Sequence, residues 1–293
     1  MDQSVSLASA APAKINLALH VTGRRDDGYH RLESLVVFTR FGDRLTVEPT
    51  NEDAFVVTGP YAADVPVDGG NLVIRARDAL REAAHHPEPV RISLEKNLPV
   101  ASGVGGGSSD AAAVLKALNR YWHLDLGGAE LASIAVSLGA DVPMCLAATP
   151  LVARGIGEVL SPVDDFPVLA LVLVNPGTSV STADVFGRLQ RRDNPPLPPL
   201  PAHFDFHTIR NWLDITRNDL EAPARSIDPT IDVVLAALDR AGSGFSRMSG
   251  SGGTCFGLFE TNNVAKRAAA AIRSRRPEWF VAATRSIPSG AGQ

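Results

Sequence analysis

Gly103-Val-Gly-Gly-Gly-Ser-Ser-Asp110 is the stretch on which the fold assignment turns. It follows Val90-Arg-Ile-Ser-Leu94, which alternates like a strand, and precedes Ala111–Leu118, which is rich in strong helix formers. Four glycines in five positions let backbone N–H groups close on an anion without obstruction from Cβ atoms. A helix N-terminus adds unsatisfied donors and the positive end of the helix dipole, with Ser108 or Ser109 suited to the N-cap. The stretch therefore predicts a phosphate-binding loop at the start of a helix.

The spacing within this loop excludes two familiar phosphate-binding motifs. A Walker A loop needs a lysine followed by serine or threonine after the last glycine, whereas Ser108 and Ser109 follow Gly107 directly. The dinucleotide-binding fingerprint needs a glycine at the position that Ser108 occupies. A glycine-rich turn that binds no ligand is the alternative interpretation.

Composition and charge exclude several classes of protein and partner. The chain has 293 residues, enough for one large domain or two modest ones, and its net charge of -4 argues against broad nucleic-acid binding. Cys145 and Cys255 are too few for a disulfide framework, and they form no CxxC pair. The apolar run Val168–Val174 is far too short to span a membrane, and the first residues do not resemble a secretory signal. We therefore expect a cytoplasmic protein with neither a nucleic-acid nor a membrane partner.

Hydrophobic periodicity predicts mixed strands and helices. Along Ala13–Val21, Lys14 and Asn16 share one strand face and project together. The alternation of elements predicts an α+β fold in two units, residues 1–160 and 161–293, because the pattern changes near Gly155-Ile-Gly157. The other predicted strands are Leu32–Phe38, Asp43–Glu48, Ala54–Thr58, Val168–Val174, Thr254–Glu260 and Val281–Ser286, and the predicted helices are Asn71–Ala84, Ser109–Trp122, Ala129–Leu138, Ile227–Arg240 and Asn263–Arg276.

Three separated motifs occur in a fixed order along the chain. They are Pro12-Ala-Lys-Ile-Asn16, the loop Gly103–Asp110, and Met248-Ser-Gly-Ser-Gly-Gly-Thr254. This ordered trio resembles the GHMP kinase superfamily, whose small-molecule kinases bind ATP without a Walker A loop. The resemblance extends from about Ala11 to about Ser286, which is nearly the whole chain.

Further motifs narrow the resemblance. Asp27-Gly-Tyr-His30, Asn71-Leu72 and Leu138-Gly-Ala-Asp-Val-Pro143 are similar to the branch of the superfamily that phosphorylates a cytidine-diphosphate-linked methylerythritol in the non-mevalonate isoprenoid route. Two positions depart from the usual pattern: Val104 stands where leucine is usual, and Asp110 stands where asparagine is also common. Neither change removes a backbone donor, but Asp110 places negative charge near the phosphates.

The resemblance implies a fold and a set of ligands. The implied fold has an N-terminal nucleotide domain like ribosomal protein S5 and a C-terminal ferredoxin-like substrate domain. The implied reaction is ATP-dependent phosphorylation of the 2-hydroxyl of the substrate, with ATP as its Mg²⁺ complex and the ligands of Mg²⁺ left open. Lys14 and Asp141 are implied to be catalytic. The implied ATP-binding residues are Asn71, Lys96, Pro99, Val100, Ala101, Ser102, Gly103, Val104, Gly105, Gly106, Gly107, Ser108 and Ser109, and the implied substrate-binding residues are Asn16, Tyr29, His30, Thr182, Phe186, Gly250, Ser251 and Gly252.

The chemistry of phosphoryl transfer suits these residue types. The reaction needs positioning and charge neutralisation more than covalent chemistry. Asp141 can accept the proton of an attacking hydroxyl, and Lys14 can favour the alkoxide. Taken alone, Asp141 is better interpreted as an N-cap ahead of Val142-Pro143, and the resemblance is what favours catalysis. The hydroxyl of Ser108 or Ser109 can reach a phosphate or Mg²⁺, with a plain N-cap as the alternative.

The remaining implied roles each have a simpler alternative. The resemblance implies that Tyr29 and Phe186 stack on cytosine and that His30 bonds the base edge, whereas a single phenylalanine at this spacing is more often a core residue. Lys96 and Asn71 match family positions near the adenosine of ATP, but each residue considered singly is better interpreted as a solvated surface residue. For Gly250–Gly253 the alternative to closing over the phosphates is a plain hairpin turn.

Two other functions compete with this assignment. The first is another GHMP small-molecule kinase acting on homoserine, mevalonate or a sugar such as galactose. The Asp27–His30 motif argues against it, because such substrates have no base to stack. The second is a non-catalytic nucleotide-binding module. Lys14 and Asp141 argue against it, because binding alone needs neither a base nor an alkoxide partner.

Overall fold

A computed structural model describes residues 6–85 and 88–290 and has the α+β architecture that the sequence predicts. The strands are β1 (Leu7–Arg24), β2 (His30–Pro49), β3 (Ala54–Thr58), β4 (Val90–Glu95), β5 (Leu151–Gly155), β6 (Val159–Pro162), β7 (Ala170–Asn175), β8 (Phe245–Met248), β9 (Cys255–Phe259) and β10 (Phe280–Arg285). The helices are α1 (Leu72–Ala84), α2 (Gly106–Tyr121), α3 (Gly128–Leu138), α4 (Val142–Ala147), α5 (Thr182–Gly187), α6 (Phe206–Asp214), α7 (Glu221–Ile227), α8 (Thr230–Arg240) and α9 (Asn262–Arg275), and a short 3₁₀ turn covers Ala62–Asp64.

Packing divides the chain into two units whose segments alternate along the sequence. The first comprises the chain up to Ala13 together with Gly42–Val100 and Gly105–Ala147. The second comprises Lys14–Phe41, Ala101–Val104 and the chain from Ala148 onward. The sequence predicts two domains that are each continuous in sequence, with a boundary near residue 160. The two units are instead built from alternating segments, so they do not test that boundary, and it stays a prediction.

The first unit places helices on a short sheet. The Arg44–Pro49 part of β2 pairs antiparallel with β4, which pairs in parallel with β3. Residues Val90, Ile92 and Leu94 of β4 are buried and alternate with more exposed neighbours, as expected for a strand with one core face. Helix α2 packs against α1 and α4. Its alanine-rich first half is buried, because small side chains let neighbouring elements approach closely.

The second unit contains an antiparallel sheet in the order β10-β7-β9-β8. Every residue of β7 is buried, which accounts for its unbroken apolar run Ala170–Val174. Helices α8 and α9 pack on this sheet and contribute to one hydrophobic core with it. In the same unit the Leu32–Val36 part of β2 pairs with β5, which pairs with β6.

The long first strands differ from the prediction. The segments Leu32–Phe38 and Asp43–Glu48 belong to one continuous strand, β2, rather than to two. Strand β1 pairs with β2 and extends beyond both ends of the predicted Ala13–Val21. Both faces of β1 are buried from Ala13 to Val21, so its polar residues Lys14 and Asn16 lie inside the protein.

The helices show two further corrections. Helix α2 begins at Gly106 with Gly105 as its N-cap, so neither Ser108 nor Ser109 has that role. The predicted helix Ile227–Arg240 corresponds to α8, which begins only at Thr230, and a break separates it from α7, with which the prediction shares Ile227 alone. The break falls at Asp228, which is extended, because a residue that precedes proline is disfavoured in the α conformation. The predictions also omitted β5, β6, β8, α4, α5, α6 and α7, none of which is longer than nine residues, so that a sequence pattern has few repeats in which to show.

None of the helices in the described ranges has both the length and the apolar character needed to cross a lipid bilayer.

Candidate active site

The glycine loop has the backbone that an anion-binding site requires. Ala101, Gly103 and Gly105 all adopt positive φ angles, of 51°, 76° and 64°, so the chain reverses sharply just before α2. No side chain caps α2. The first N–H groups of a helix have no partner within the helix, and an uncapped N-terminus presents them to an anion together with the helix dipole. The loop is therefore suited to phosphate binding.

The serine hydroxyls after the loop are not equivalent. Ser109 lies in the first turn of α2, is buried, and donates its hydroxyl proton to the Pro12 carbonyl over 2.6 Å. Its position is therefore set by the protein. Ser108 is only half-buried, and its hydroxyl is the better placed of the two to meet a ligand.

Lys96 lies at the centre of a buried ionic cluster in the first unit. Its ammonium donates to Asp43 Oδ2 over 2.7 Å and to Asp110 Oδ2 over 2.6 Å. A Cβ atom added at Gly106 would lie 3.1 Å from Lys96 Nζ, so the ammonium is next to the first residue of α2. The interpretation of Lys96 as a solvated surface residue is therefore wrong.

Asp43 holds the segment that leads toward the glycine loop. Its Oδ1 accepts hydrogen bonds from the backbone N–H groups of Asn97 and Leu98 over 2.6 and 2.8 Å, while Oδ2 meets Lys96. Nothing in the local sequence distinguished this carboxylate from those of the solvated residues around it. Its role depends on a contact between positions that are more than fifty residues apart.

Burial governs the charges of this cluster. Burial raises the pKa of Asp110 to about 8, the Lys96 ammonium opposes that rise, and Asp43 adds to it. Burial also acts against the charge on Lys96, but Asp110 and Asp43 outweigh it, so the pKa of Lys96 is raised. One ammonium can balance one buried carboxylate, so the second carboxylate retains a proton at neutral pH. The negative charge that Asp110 adds to the sequence is thus largely neutralised where it lies.

Asn71 is also buried, so its interpretation as a surface residue is wrong too. It is the N-cap of α1, where its Oδ1 accepts from the Val73 N–H over 2.8 Å. Its Nδ2 donates to the Pro66 carbonyl over 2.6 Å. These contacts assign Asn71 a structural role, and its contact with ATP stays a prediction.

Asp141 lies in the first unit, in the turn between α3 and α4. Its carbonyl accepts from the Cys145 N–H over 3.2 Å, so the residue stands at the start of α4, as the N-cap interpretation expected. A catalytic role for the carboxylate stays a prediction.

In the second unit, hydrogen bonds connect β1, the glycine loop and the hairpin loop between β8 and β9. The Lys14 N–H donates to the Val104 carbonyl over 2.8 Å, and the Thr254 N–H donates to the Ser102 carbonyl over 3.1 Å. Ser249 adds a side-chain bond from its Oγ to the Gly103 carbonyl over 3.2 Å. Three motifs that are far apart in sequence are thus held together.

The Gly250–Gly253 stretch does form the turn of a hairpin, because Met248 and Cys255 pair on either side of it. The turn is held from outside the hairpin as well. Asn218 Nδ2 donates to the carbonyls of Met248 and Gly250 over 2.9 and 2.8 Å. Asn218 was missed in the sequence because it lies between helices, where no periodicity marks it.

An aromatic cluster in the same unit contains two of the predicted substrate residues. The rings of His30 and Phe186 stack with centroids 4.8 Å apart, while Tyr29 is 62% exposed. Phe186 also packs against the hydrophobic core, so its core and binding interpretations are compatible. Thr182 Oγ1 and Ser251 Oγ lie 2.8 Å apart, which brings the start of α5 to the hairpin loop.

The environment of His30 keeps its ring neutral. Burial lowers the pKa of His30, and the guanidinium groups of Arg192 and Arg24 lower it further. His30 Nε2 and Arg192 Nε are buried and have no hydrogen-bond partner among the described residues. These atoms offer unused hydrogen-bonding capacity beside the His30–Phe186 stack.

Among residues 6–85 and 88–290, no group of three or more His, Cys, Asp or Glu side chains is arranged to hold a metal ion. A Mg²⁺ ion usually keeps several waters and is bound through one or two carboxylates together with substrate phosphates, so it does not need such a group.

Comparisons with known proteins show similarity along most of the chain. The family model for the GHMP kinases N terminal domain matches residues 71–149, and the model for GHMP kinases C terminal matches residues 201–278. A 4-diphosphocytidyl-2-C-methyl-D-erythritol kinase from Mesorhizobium japonicum is 68% identical over 96% of both chains. A relative of the same name from a Chelativorans strain is 55% identical over 97% of this chain and 98% of its own.

Solved structures show the same similarity. A crystal structure of a 4-(cytidine 5'-diphospho)-2C-methyl-D-erythritol kinase is 37% identical, has a TM-score of 0.78, and covers 96% of this chain and 100% of that one. Homoserine kinase from Cytophaga hutchinsonii is 17% identical with a TM-score of 0.72, covering 100% of this chain and 98% of that one. At that identity the second likeness concerns the fold alone.

The backbone of the hairpin loop between β8 and β9 lies very close to Gly103, and this generates a prediction about stability. A Cβ atom there would lie 2.5 Å from the Gly252 carbonyl oxygen and 2.7 Å from that of Ser249. Gly177 has a similar φ of +85° but open space around it, so Gly177→Ala measures the backbone cost alone. We expect Gly177→Ala to lose about 1–2 kcal/mol of unfolding free energy, and Gly103→Ala to lose about 1–3 kcal/mol more, in urea titrations. Equal losses would contradict the close approach.

The buried cluster generates a prediction about pH. The pKa of Asp110 is higher in the folded chain, at about 8, than the ordinary value of 3.8. The folded state therefore binds more protons than the unfolded state between these values, and this contribution to stability falls as pH rises toward 8. Asp110→Asn removes the titration while Asp43 still balances Lys96. We expect the stability of the parent relative to Asp110→Asn to decrease from pH 5 to pH 8 in urea titrations. A difference that stays constant with pH would show that Asp110 is ionised throughout.

Proposed function

The chain belongs to the 4-diphosphocytidyl-2-C-methyl-D-erythritol kinases of the GHMP kinase family, and from this premise we propose that it transfers the γ-phosphoryl group of ATP to the 2-hydroxyl of 4-diphosphocytidyl-2-C-methyl-D-erythritol. The observation that carries the proposal is the 68% identity to a kinase of that name over 96% of both chains. The reaction belongs to the non-mevalonate route to isoprenoids. A cytoplasmic location and the lack of nucleic-acid and membrane partners stay predictions from composition.

The nucleotide binds at the glycine loop in this proposal. The uncapped N-terminus of α2 and the left-handed turns at Gly103 and Gly105 support it, since both present backbone N–H groups to phosphate oxygens. The Lys96 ammonium beside Gly106 balances the charge of Asp43, and Asp110 keeps its proton, so the buried cluster places no net negative charge next to the loop. ATP enters as its Mg²⁺ complex, in which phosphates and water supply most ligands of the ion. The hydroxyl of Ser108 is the protein group that we expect to contact the ion. When bound, the ion neutralises charge on the transferring phosphoryl group.

The proposed catalytic pair is Asp141 and Lys14. Asp141 accepts the proton of the attacking 2-hydroxyl, and the Lys14 ammonium stabilises the oxygen as it gains negative charge. The position of Lys14 supports this role, because it lies on β1 with its backbone bonded to the glycine loop at Val104. A compact ammonium suits a single developing charge better than a planar guanidinium does.

The cytosine of the substrate is recognised by the aromatic cluster. A neutral His30 with an unpartnered Nε2 supports hydrogen bonding to the base edge. Phe186 offers a ring face that His30 now covers, so His30 turns away when the base stacks there. The exposed Tyr29 supplies the opposite face of the base, and Thr182 and Ser251 lie at the hairpin side of the same cluster.

A kinase assay with product analysis by ³¹P and ¹³C NMR tests the reaction and its catalytic pair. We expect Asp141→Asn to lower kcat by about 10²–10⁴ with little change in ATP binding, because it removes only the proton acceptor. Lys14→Ala should be similarly impaired, and Lys14→Arg should not restore activity. Asp164→Asn, which changes an exposed carboxylate, serves as the matched control. Near-parental turnover of Asp141→Asn would exclude it as the proton acceptor, and phosphorylation of a different hydroxyl would contradict the proposed reaction.

Steady-state kinetics of cluster variants test base recognition. Stacking of a base on an aromatic ring contributes about 1–3 kcal/mol, so Tyr29→Ala should raise KM for the substrate roughly 5- to 150-fold, while Tyr29→Phe should be mild. His30→Ala should reduce discrimination between cytosine and uracil derivatives, because a site built to bond one edge leaves groups unpaired with the other. KM for ATP should stay constant as the internal control. Equal activity on an analogue without cytosine would favour a simpler polyol kinase.

A further inference from the structure

Asn16 is buried in the second unit, and its side-chain amide is only half satisfied. The residue is 4% exposed. Its Nδ2 donates to Ser34 Oγ over 2.7 Å, and its backbone N–H donates to Ser249 Oγ over 3.1 Å. Asn16 Oδ1 is buried and has no hydrogen-bond partner among the described residues. A buried acceptor without a partner is costly in a folded protein, so its persistence indicates a ligand that supplies a donor.

The orientation of this amide follows from the neighbouring hydroxyl. Ser34 has a single hydroxyl proton, which it donates to the Ala18 carbonyl over 2.7 Å. Towards Asn16 it can therefore only accept, and the atom that faces it must be the amide nitrogen. A reversed amide would place two acceptor oxygens 2.7 Å apart with no proton between them. Ser34 is 1% exposed, which leaves little room for water to resolve that conflict.

The free oxygen faces the hairpin loop. A Cβ atom added at Gly250 would lie 3.3 Å from Asn16 Oδ1, so the oxygen lies close to the backbone of that loop and a side chain there would crowd it. The Gly250 carbonyl is itself held by Asn218. Asn16 also follows Lys14 by two residues on the same face of β1, at a spacing of about 7 Å. The unsatisfied acceptor is thus next to the proposed charge stabiliser.

We propose that Ser34 is a positioning residue that holds the Asn16 amide with its oxygen turned toward a hydroxyl group of the acceptor alcohol. The identity of the alcohol rests on the proposed function. An amide oxygen accepts a hydroxyl proton but repels phosphate oxygens, which are themselves acceptors. The Ser34–Asn16 pair therefore selects the alcohol portion of the substrate and excludes phosphate from that position. This role is reached through Asn16, and Ser34 itself does not touch the substrate.

A double-mutant cycle on the full-length enzyme tests the coupling. Ser34→Ala should lower kcat/KM for the alcohol substrate by roughly 2- to 150-fold, the range typical of coupled neighbours, and leave KM for ATP unchanged. In an Asn16→Ala background, Ser34→Ala should have almost no further effect, because there is no amide left to orient. Ser34→Thr retains the hydroxyl and should retain most of the activity. Ser286→Ala removes another buried hydroxyl of the same unit, which accepts from the Leu169 N–H, and should leave kcat/KM unchanged.

A second measurement does not depend on turnover. In the substrate-free enzyme, NMR should show the Asn16 side-chain amide protected from hydrogen exchange, and Ser34→Ala should remove that protection. Independent effects of the two substitutions on kcat/KM, or undiminished protection in Ser34→Ala, would overturn the positioning role. A parent enzyme without kinase activity would overturn the proposed function, and the exchange measurement would still decide whether Ser34 orients Asn16.

Discussion

The hydrogen bonds between the glycine loop and its two partners are the constraint on which the rest of the second unit's site depends. Lys14 bonds Val104, Thr254 bonds Ser102, and Ser249 bonds Gly103. Backbones approach so closely at Gly103 that no Cβ atom could be accommodated. Because main-chain groups form most of these contacts, they fix the loop's position without occupying the donors that precede α2. The same contacts determine where β1 places the side chains of Lys14 and Asn16.

Buried charge is the second organising feature. The protein has a net charge of -4, yet its proposed ligands, ATP and a cytidine diphosphate, are anionic. The negative charge of the chain is offset locally, at the start of α2. Lys96 lies beside the start of α2, and its two carboxylate partners are buried, where desolvation keeps a proton on Asp110. A helix N-terminus without a side-chain cap adds partial positive charge at the same place. Local geometry therefore outweighs the overall charge of the chain.

The family assignment and the substrate assignment rest on different evidence. Homoserine kinase shares the fold at 17% identity, so the fold by itself does not select a substrate. In our proposal, selection comes from side chains such as His30, Phe186 and Asn16. Two of these, His30 and Asn16, carry buried atoms without hydrogen-bond partners in the described residues. Such atoms are costly unless a ligand satisfies them, and this links the specificity of the site to its incomplete hydrogen bonding.

Local sequence determined the elements with strong periodicity and the loops that need glycine. The strand β4, the helices α1 and α3, and the glycine loop before α2 were all predictable, because their patterns depend only on neighbours in the chain. The motifs around Lys14 and His30 carried the family resemblance, and it was the resemblance that implied their roles in phosphoryl transfer and base recognition. The exact start of α2 was not predictable, since glycines at residues 105–107 tolerate several conformations and packing chooses among them.

Tertiary structure decided which polar groups are buried and what they contact. Asp43 and Lys96 are 53 residues apart, Asn16 and Ser249 are 233 residues apart, and no local pattern pairs them. Lys96 and Asn71 resemble surface residues in sequence, but folding removes both from water and thereby requires partners for them. The orientation of the Asn16 amide likewise depends on one hydroxyl of Ser34, which acts only once β1 and β2 lie side by side. Hydrogen-bond satisfaction is a property of the assembled interior, and for that reason it could not be read from the order of residues alone.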